Sequence, residues 1–220
     1  MIHIEHFTFN PFQERCCVAW DDNGHCTFVD PGCYNSEELS QISGFVTERN
    51  LKPVCIMLTH AHFDHIYGVA ALARMYSIPV YAHSNEQFTI NNTNPQICRL
   101  YDLKVPEEFT MTPVVEGQTI EVGSMKFEVL ETPGHSQGGL CFYEKAEGIL
   151  FSGDTLFAGA IGRTDHPGGD YDLLMKSIFD KLMVLDGSVT VIPGHGPETS
   201  IAKEGMTNPF LLPFNEPYED

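Results

Sequence analysis

Three histidines and one aspartate occupy four of six consecutive positions, a density of metal-binding side chains that requires an explanation. His60, His62, Asp64 and His65 follow an apolar run at 54–58. On a regular helix the first two imidazoles would point about 200° apart, whereas residues two apart share a face in extended backbone. The spacing therefore predicts a strand-to-helix turn, in which His60 and His62 hold one metal while Asp64 and His65 turn toward a second.

Three further side chains of the same chemistry follow predicted strands farther along the chain. His135, Asp154 and His195 each come directly after a glycine, which lets the backbone turn sharply and approach an ion closely. The complete set has five histidines and two aspartates, enough for two metals if Asp154 bridges them. Closed structural zinc sites favour cysteine-rich sets of four ligands, whereas this nitrogen and oxygen set leaves positions for water. The pattern therefore predicts an open metal centre.

One arginine lies close to these motifs, in the segment 162–169. The planar guanidinium of Arg163 could bind a carboxylate of a substrate. It could instead pair within its own loop, with Asp165 or Asp170, as arginines in turns commonly do. Both interpretations remain open. Four other histidines have no ligand-like neighbours, which favours surface or packing roles; they are His3, His6, His25 and His83.

The elements that position these residues follow from the pattern of β-forming runs and helical repeats. Seven strands are predicted, at 26–30, 54–59, 80–83, 127–131, 140–144, 149–152 and 189–193, most of them ending near Gly, Pro, Asp or His. Helices are predicted after Ser36 as an N-cap, across 67–76, and after Asp170. Strands mixed with helices along one uninterrupted chain predict a layered α/β domain whose strand-end loops carry the polar residues.

Composition limits the classes of protein that this chain can represent. Its 220 residues are 42% hydrophobic and 19% charged, which predicts one folded domain over 1–220 rather than disorder. The most loop-like stretch is 91–113, and an irregular tail is expected over about 205–220. The net charge of −18 disfavours binding to nucleic acid or to anionic lipid.

The cysteines and the N-terminal segment bear on the cellular compartment. The seven cysteines are an odd number, form no C-x-x-C pair and include the adjacent Cys16 and Cys17, so reduced thiols are expected. The sequence shows no basic segment followed by an apolar one at its start, and no stretch of 18 uninterrupted apolar residues. We therefore expect a cytoplasmic protein without a membrane partner.

The order and spacing of the seven metal-binding residues resemble those of the metallo-β-lactamase superfamily, over most of the chain. Within it, the segments 152–157, 162–165 and 196–200 resemble the small glyoxalase-II-like hydrolases. The resemblance implies an αβ/βα sandwich of two mixed β-sheets flanked by helices, with the site where the strand-end loops meet. It also implies a ligand scheme: His60, His62 and His135 for one metal, Asp64, His65 and His195 for the other, and Asp154 between them.

One departure from full-length glyoxalase II concerns the C-terminal helical domain, which in that family contributes basic residues to binding of the glutathione carrier. Only 25 residues follow His195, and Lys203 is the one basic residue among them. The resemblance therefore implies the hydrolytic centre without the glutathione-binding residues of that domain.

The function that the residues and the resemblance favour is hydrolysis of a small-molecule thioester, such as S-lactoylglutathione or a related acyl thiol. Two divalent metals, zinc first and iron or manganese as alternatives, would ready a hydroxide nucleophile that Asp64 orients. A thiol can leave as thiolate without a strong acid because its pKa is near 8.5. The alternatives are a mononuclear-iron oxidoreductase resembling the persulfide dioxygenases, and a hydrolase of lactams or phosphodiesters. An electron-transfer role like that of flavo-diiron proteins would need a flavin domain for which this chain has no room.

Overall fold

The computed structural model describes residues 1–93, 95–100 and 102–212. The first half of the chain forms a mixed six-stranded sheet, with its strands in the order β1-β2-β3-β4-β5-β6. The first three strands pair antiparallel and the last three join in parallel. Their bounds are β1 Ile2–Phe9, β2 Glu14–Asp21, β3 His25–Val29, β4 Lys52–Met57, β5 Val80–Ala82 and β6 Thr112–Pro113.

The second half of the chain forms another six-stranded sheet, with its strands in the order β14-β13-β10-β9-β8-β7. Only the β10 and β13 pair is parallel within it. The bounds are β7 Thr119–Val122, β8 Met125–Glu131, β9 Leu140–Glu144, β10 Ile149–Gly153, β13 Thr190–Pro193 and β14 Thr199–Ser200. A small two-stranded ribbon, β11 Leu156–Phe157 and β12 Ala160–Ile161, follows β10.

Seven α-helices accompany the sheets in the described residues. They are α1 Ser36–Glu48, α2 Phe63–Ile66, α3 Val69–Tyr76, α4 Glu86–Asn91, α5 Pro95–Leu100, α6 Tyr171–Ser177 and α7 Ile201–Thr207. A π-helical turn, Ile178–Leu182, continues α6. None of the described helices is both long enough and apolar enough to cross a membrane.

Three apolar layers hold these elements together, and strand β2 contributes side chains to two of them. Its alternate side chains point to opposite faces of the sheet. Cys16 and Val18 pack with Ile42 of α1 on the helix side, whereas Cys17 and Ala19 pack against the second sheet. A third layer lies between the second sheet and α6, the π-helical turn and α7. The predicted αβ/βα sandwich of two mixed sheets flanked by helices is therefore confirmed.

The predicted elements agree with the structure in type and differ at several boundaries. All seven predicted strands are present, and Asp170 caps α6, accepting a hydrogen bond from the amide of Leu173. The N-cap of α1 is Asn35 rather than Ser36, because the Asn35 side chain accepts from the amide of Glu38. Helix α3 begins at Val69 rather than at 67.

Two predicted irregular segments contain regular structure. The stretch 91–113 includes α5 and β6. Pro95 can begin α5 because a missing N–H costs nothing at the first helical position. The predicted start of the tail, at about 205, falls inside α7, which Ser200 caps by accepting from the amide of Lys203. Residues 213–220 of that predicted tail lie outside the described residues.

Candidate metal centre

The first group of imidazoles forms where β4 ends and α2 begins. His60 and His62 lie in the irregular backbone between these elements, and His135 lies in the loop between β8 and β9. One nitrogen of each ring lies within 4.8 Å of the others, and His62 Nδ1 is 2.9 Å from His135 Nε2. His60 Nε2 is buried and has no hydrogen-bond partner in the described residues. Three inward-facing nitrogens at this spacing can share one cation.

The second group lies beside the first and contains a carboxylate. Asp64 and His65 belong to α2, and His195 follows β13. His195 Nε2 is 3.3 Å from Asp64 Oδ2 and 3.3 Å from His65 Nε2. The His195 loop is held against the first sheet, since the Arg15 amide donates to the Gly194 carbonyl at 2.7 Å. The structure thus brings together the three residues that the resemblance implied for the second metal.

Asp154 lies between the two groups. One of its carboxylate oxygens is 3.5 Å from His135 Nε2, and the other is 3.5 Å from His65 Nε2. Its Oδ1 is buried and lacks a hydrogen-bond partner in the part of the chain described here. A carboxylate whose two oxygens each lie near a different group can bridge two cations, one held by each group.

Glycine is needed directly before two of these ligands. A Cβ on Gly153, whose φ is +48°, would lie 2.1 Å from Thr59 Oγ1. A Cβ on Gly194 would lie 2.5 Å from Asp154 Oδ1. Both positions therefore require a residue without a side chain, which agrees with the expectation from the sequence.

The outer nitrogens of four imidazoles have partners away from the centre. In each case Nδ1 faces the partner: Thr59 Oγ1 for His60, Asp30 Oδ2 for His65, the Arg163 carbonyl for His135 and the Phe12 carbonyl for His195, at 2.8–3.1 Å. A carbonyl or carboxylate accepts only from an N–H, so Nδ1 carries the proton where it faces one. Partners of this kind fix the ring and direct the Nε2 lone pair inward, as in known metal sites.

Asp30 is a functional residue that sequence reasoning missed. Its carboxylate accepts from the Thr59 amide at 2.7 Å and from Thr59 Oγ1 at 2.5 Å, and it faces His65 Nδ1 at 3.1 Å. From its position directly after β3, it therefore supports His65 of the second group itself and His60 of the first group through Thr59. The Asp-Pro-Gly sequence at 30–32 was the available signal, but such a sequence indicates a turn and not a role beside a metal.

Glu86 is a second missed residue and connects the two loops that carry the first group. It is fully buried. Its Oε2 accepts from the Ala61 amide at 2.6 Å, between His60 and His62, and its Oε1 accepts from the Gly138 amide at 2.9 Å. A Cβ on Gly138 would approach Oε1 to 2.9 Å. The carboxylate therefore fixes the distance between the two loops.

The electrostatic environment differs between the two groups. Burial, reinforced by neighbouring imidazoles, lowers the pKa of His60 and His135 well below the usual value and that of His62 to about 3. Burial alone would also lower the pKa of His65, but the Asp154, Asp64 and Asp30 carboxylates outweigh it and raise that pKa well above the usual value. The first group is therefore neutral, and the second attracts positive charge.

The same balance acts on the remaining members of the second group. Burial acts to lower the pKa of His195, but the hydrogen bond with Asp64 and the charge of Asp154 raise it overall. Burial acts to raise the pKa of Asp64, yet His65 and His195 lower it. For Asp154 burial prevails, and its pKa is raised. Bound cations would replace the protons that now offset these carboxylates.

These observations fit a pair of divalent metals. Two inward-facing atoms, His60 Nε2 and Asp154 Oδ1, have no hydrogen-bond partner in the described residues. The donor set mixes imidazoles with carboxylates, and four of the outer imidazole nitrogens have second partners, as such metals require. His60 and His65 are fully buried, whereas His62 and His195 are half-buried. Water and substrate would therefore reach the centre from the side of His62 and His195.

The other residues singled out from the sequence lie elsewhere. Arg163 is exposed and forms two hydrogen bonds with Asp165, at 2.8 and 2.9 Å, which is the local pairing that the sequence left open. Its carbonyl, rather than its side chain, contacts a predicted ligand. The histidines without ligand-like neighbours all have acidic partners outside the centre: His3 with Asp22, His6 with Glu198, His25 with Asp21 and His83 with Glu131.

Comparisons with known proteins agree with this geometry. The family model described as the metallo-beta-lactamase superfamily matches residues 10–195. A Haemophilus influenzae protein named hydroxyacylglutathione hydrolase GloC is 32% identical over 212 residues, which cover 96% of this chain and 98% of that protein.

Two solved structures are similar throughout. The BLEG-1 B3 metallo-beta-lactamase has a TM-score of 0.85 and 35% identity, covering 95% of this chain and 99% of its own. TTHA1623, solved in a di-iron-bound form, has a TM-score of 0.82 and 35% identity, covering 94% and 100%. With its fold, its ligand-bearing loops and the matched family model, this chain belongs to the metallo-β-lactamase superfamily.

Proposed function

We propose that this chain is a binuclear metal-dependent thioester hydrolase, whose substrate is S-lactoylglutathione or a related acyl thioester. The observation that carries the proposal is the position of Asp154, whose two oxygens are each 3.5 Å from an imidazole of a different group. His60, His62 and His135 would hold one metal, Asp64, His65 and His195 the other, and Asp154 would bridge them. The name of the Haemophilus influenzae relative supports the choice of substrate class.

Two metals bound here would lower the pKa of water toward neutrality and polarise a carbonyl. The chain's own residues would orient the attacking hydroxide and exclude other water. Asp64, held 3.3 Å from His195 Nε2, lies at the half-buried side of the centre and can accept a hydrogen bond from the attacking hydroxide. The buried His60 and His65 exclude water from the opposite side.

Charge explains how an anionic substrate would approach an acidic protein. The whole chain carries a net charge of −18, which repels anions at long range. Two divalent cations would bring four positive charges, more than the three carboxylates of Asp64, Asp154 and Asp30 offset, and would leave the centre locally positive. A carboxylate-bearing thioester can therefore bind there. Binding of that carboxylate by Arg163 stays a prediction, which requires the Asp165 pair to open.

The test combines elemental analysis of freshly purified protein with a thioester hydrolysis assay that detects free thiol. Two metals per chain and release of thiol from S-lactoylglutathione are expected. One iron per chain with uptake of oxygen would refute the proposal in favour of a persulfide dioxygenase. Zinc is the first expectation, and iron or manganese would be accepted by the same donor set.

A second candidate, lactam hydrolysis, is favoured by the similarity to the BLEG-1 lactamase. Opening of a β-lactam also needs an activated water and a polarised carbonyl. A chromogenic cephalosporin should therefore be assayed beside the thioester. Faster turnover of the cephalosporin than of any thioester tested would replace the first proposal by the second.

A further inference from the structure

His195 is the least enclosed residue of the second group. Its side chain is 27% exposed, against 13% for Asp64 and 0% for His65. It lies at the start of the connection between β13 and β14. Beyond it, an exposed hydrogen bond joins the Arg15 guanidinium to the Gly196 carbonyl. The position of His195 therefore depends on the segments that pack against its ring and on those that hold the far end of this connection.

Two short segments have these positions. The first is the β11–β12 ribbon, because the ring of Phe157 packs edge-on against the His195 ring, with the centroids 6.4 Å apart. The second is the start of β14, where Thr199 follows His195 by four positions. Strands β11, β12 and β14 have two residues each. Strands this short are not stable alone, so both segments depend on contacts with other elements.

Glu204 of α7 connects the two segments. Its side chain is fully buried. Oε2 accepts a hydrogen bond from the Gly159 amide at 2.8 Å, at the turn of the ribbon, and Oε1 accepts one from the hydroxyl of Thr199. A single carboxylate therefore joins the ribbon that carries Phe157 to the strand that follows the His195 connection.

Asn208, which ends α7, adds to this connection and is also fully buried. Its side-chain NH2 donates to Glu204 Oε2 at 2.8 Å and to the Ala160 carbonyl at 3.0 Å, and its oxygen accepts from the Phe210 amide at 3.0 Å. The Glu204 carboxylate thus accepts three hydrogen bonds. A buried polar network whose members are all paired is rigid, so α7 fixes the ribbon in place.

We propose that Glu204 is a positioning residue for the second metal, and that its contacts decide whether the chain holds two metals or one. The inference rests on the proposed binuclear centre. None of the hydrogen bonds that Glu204 forms in the described residues goes to a proposed ligand; it acts on His195 through Phe157 and Thr199. Glu86 joins the two loops of the first group, so each group has its own buried glutamate.

The experiment measures cobalt affinity by competition with a chelator and counts imidazole N–H protons by proton NMR in water. Each cobalt-bound histidine gives a strongly shifted N–H signal, so His65 and His195 report the second metal and the other three ligand histidines the first. Glu204→Leu leaves three donors without an acceptor. It should weaken binding of the second cobalt about tenfold. At a cobalt concentration that just fills both wild-type sites, it should lose two shifted signals and keep the others.

Three further variants serve as controls. Glu204→Gln should bind both cobalts as wild type does, because its amide oxygen still accepts from Gly159 and Asn208 and its NH2 can donate to the Thr199 hydroxyl. Met206→Ala alters a side chain of α7 that is 68% exposed and should change nothing. Thr199→Val removes one of the three hydrogen bonds and should weaken the second cobalt alone. It decides the question if Glu204→Leu does not fold.

A merely structural role for Glu204 would give a different result, in which Glu204→Leu weakens both cobalts equally and all shifted signals decline together. That result would overturn the inference while leaving the proposed function intact. So would unchanged binding of the second cobalt in folded Glu204→Leu, or in Thr199→Val where the leucine variant does not fold. If the wild-type chain bound one cobalt or none, the binuclear centre itself would be refuted, and the role of Glu204 with it.

Discussion

The buried carboxylate of Glu86 links two ligand-bearing loops, and its removal should affect both stability and metal binding. It accepts from the amides of Ala61 and Gly138. A hydrogen bond to a charged group contributes about 1.5–3 kcal/mol, so Glu86→Ala should lower the free energy of unfolding by about 3–6 kcal/mol. The free energy of unfolding of a whole domain is only about 5–15 kcal/mol, so Glu86→Ala could leave the protein unfolded. The milder Glu86→Gln is therefore the better variant. It keeps one acceptor oxygen and should lose roughly half as much.

The assay is urea unfolding with chelator present, so that metal does not contribute, followed by metal affinity in the folded variant. We expect a lower urea midpoint with an unchanged slope, and metal binding weaker by about 10–100-fold because the loops are no longer held together. Glu107→Gln is the control, since that exposed side chain pairs with exposed Arg74 and should contribute at most about 1 kcal/mol. If Glu86→Gln matched Glu107→Gln in both measurements, the proposed role of Glu86 would be refuted.

Three further predictions concern the centre and the junction between the sheets. Replacing His60 or Asp154 by Ala should abolish hydrolysis while circular dichroism stays unchanged; near-normal turnover in either variant would disprove the ligand scheme. In the metal-free protein, the raised pKa values of His65 and His195 mean that their protonated forms stabilise the fold below about pH 6.5. This contribution is lost as pH rises above about 6.5 through the raised values, so over that range the urea midpoint should fall with pH and recover with added zinc. Asp21 accepts from the amides of Asn23, His25 and Ser124, which outweigh burial and lower its pKa. Asp21→Asn should therefore cost about 1–3 kcal/mol at neutral pH, a difference that shrinks as acid protonates the wild-type carboxyl.

The turn that carries His60 and His62 could be predicted because its backbone conformation depends on residues that are neighbours in the sequence. Two histidines spaced two apart are incompatible with a shared site on a helix, so 60–62 had to lie outside a helix. The structure has no helix there and places His62 in extended backbone. Strands β1 and β2 were not predicted. The second of them is buried on both faces around Cys16–Ala19, so its residues do not alternate between apolar and polar, and this weakens the usual strand signal.

The supporting residues could not be predicted, because their roles depend on contacts between distant parts of the chain. Asp30 acts on a residue 29 positions away, and Glu86 joins amides that lie 25 and 52 positions from it. A buried carboxylate has no sequence pattern that distinguishes it from an exposed one.

The division of the proposed ligands between the two sheets has a consequence for how the protein reaches its native state. Four come from the segment after β4, and the other three come from loops of the second sheet. Neither half of the chain alone presents the complete proposed set, so we expect high-affinity metal uptake only after the two halves have docked. Metal at a thousand times its dissociation constant would then stabilise only the finished molecule, by about 4 kcal/mol. Cells short of metal should therefore degrade this protein faster, and its abundance would report the supply of the ion.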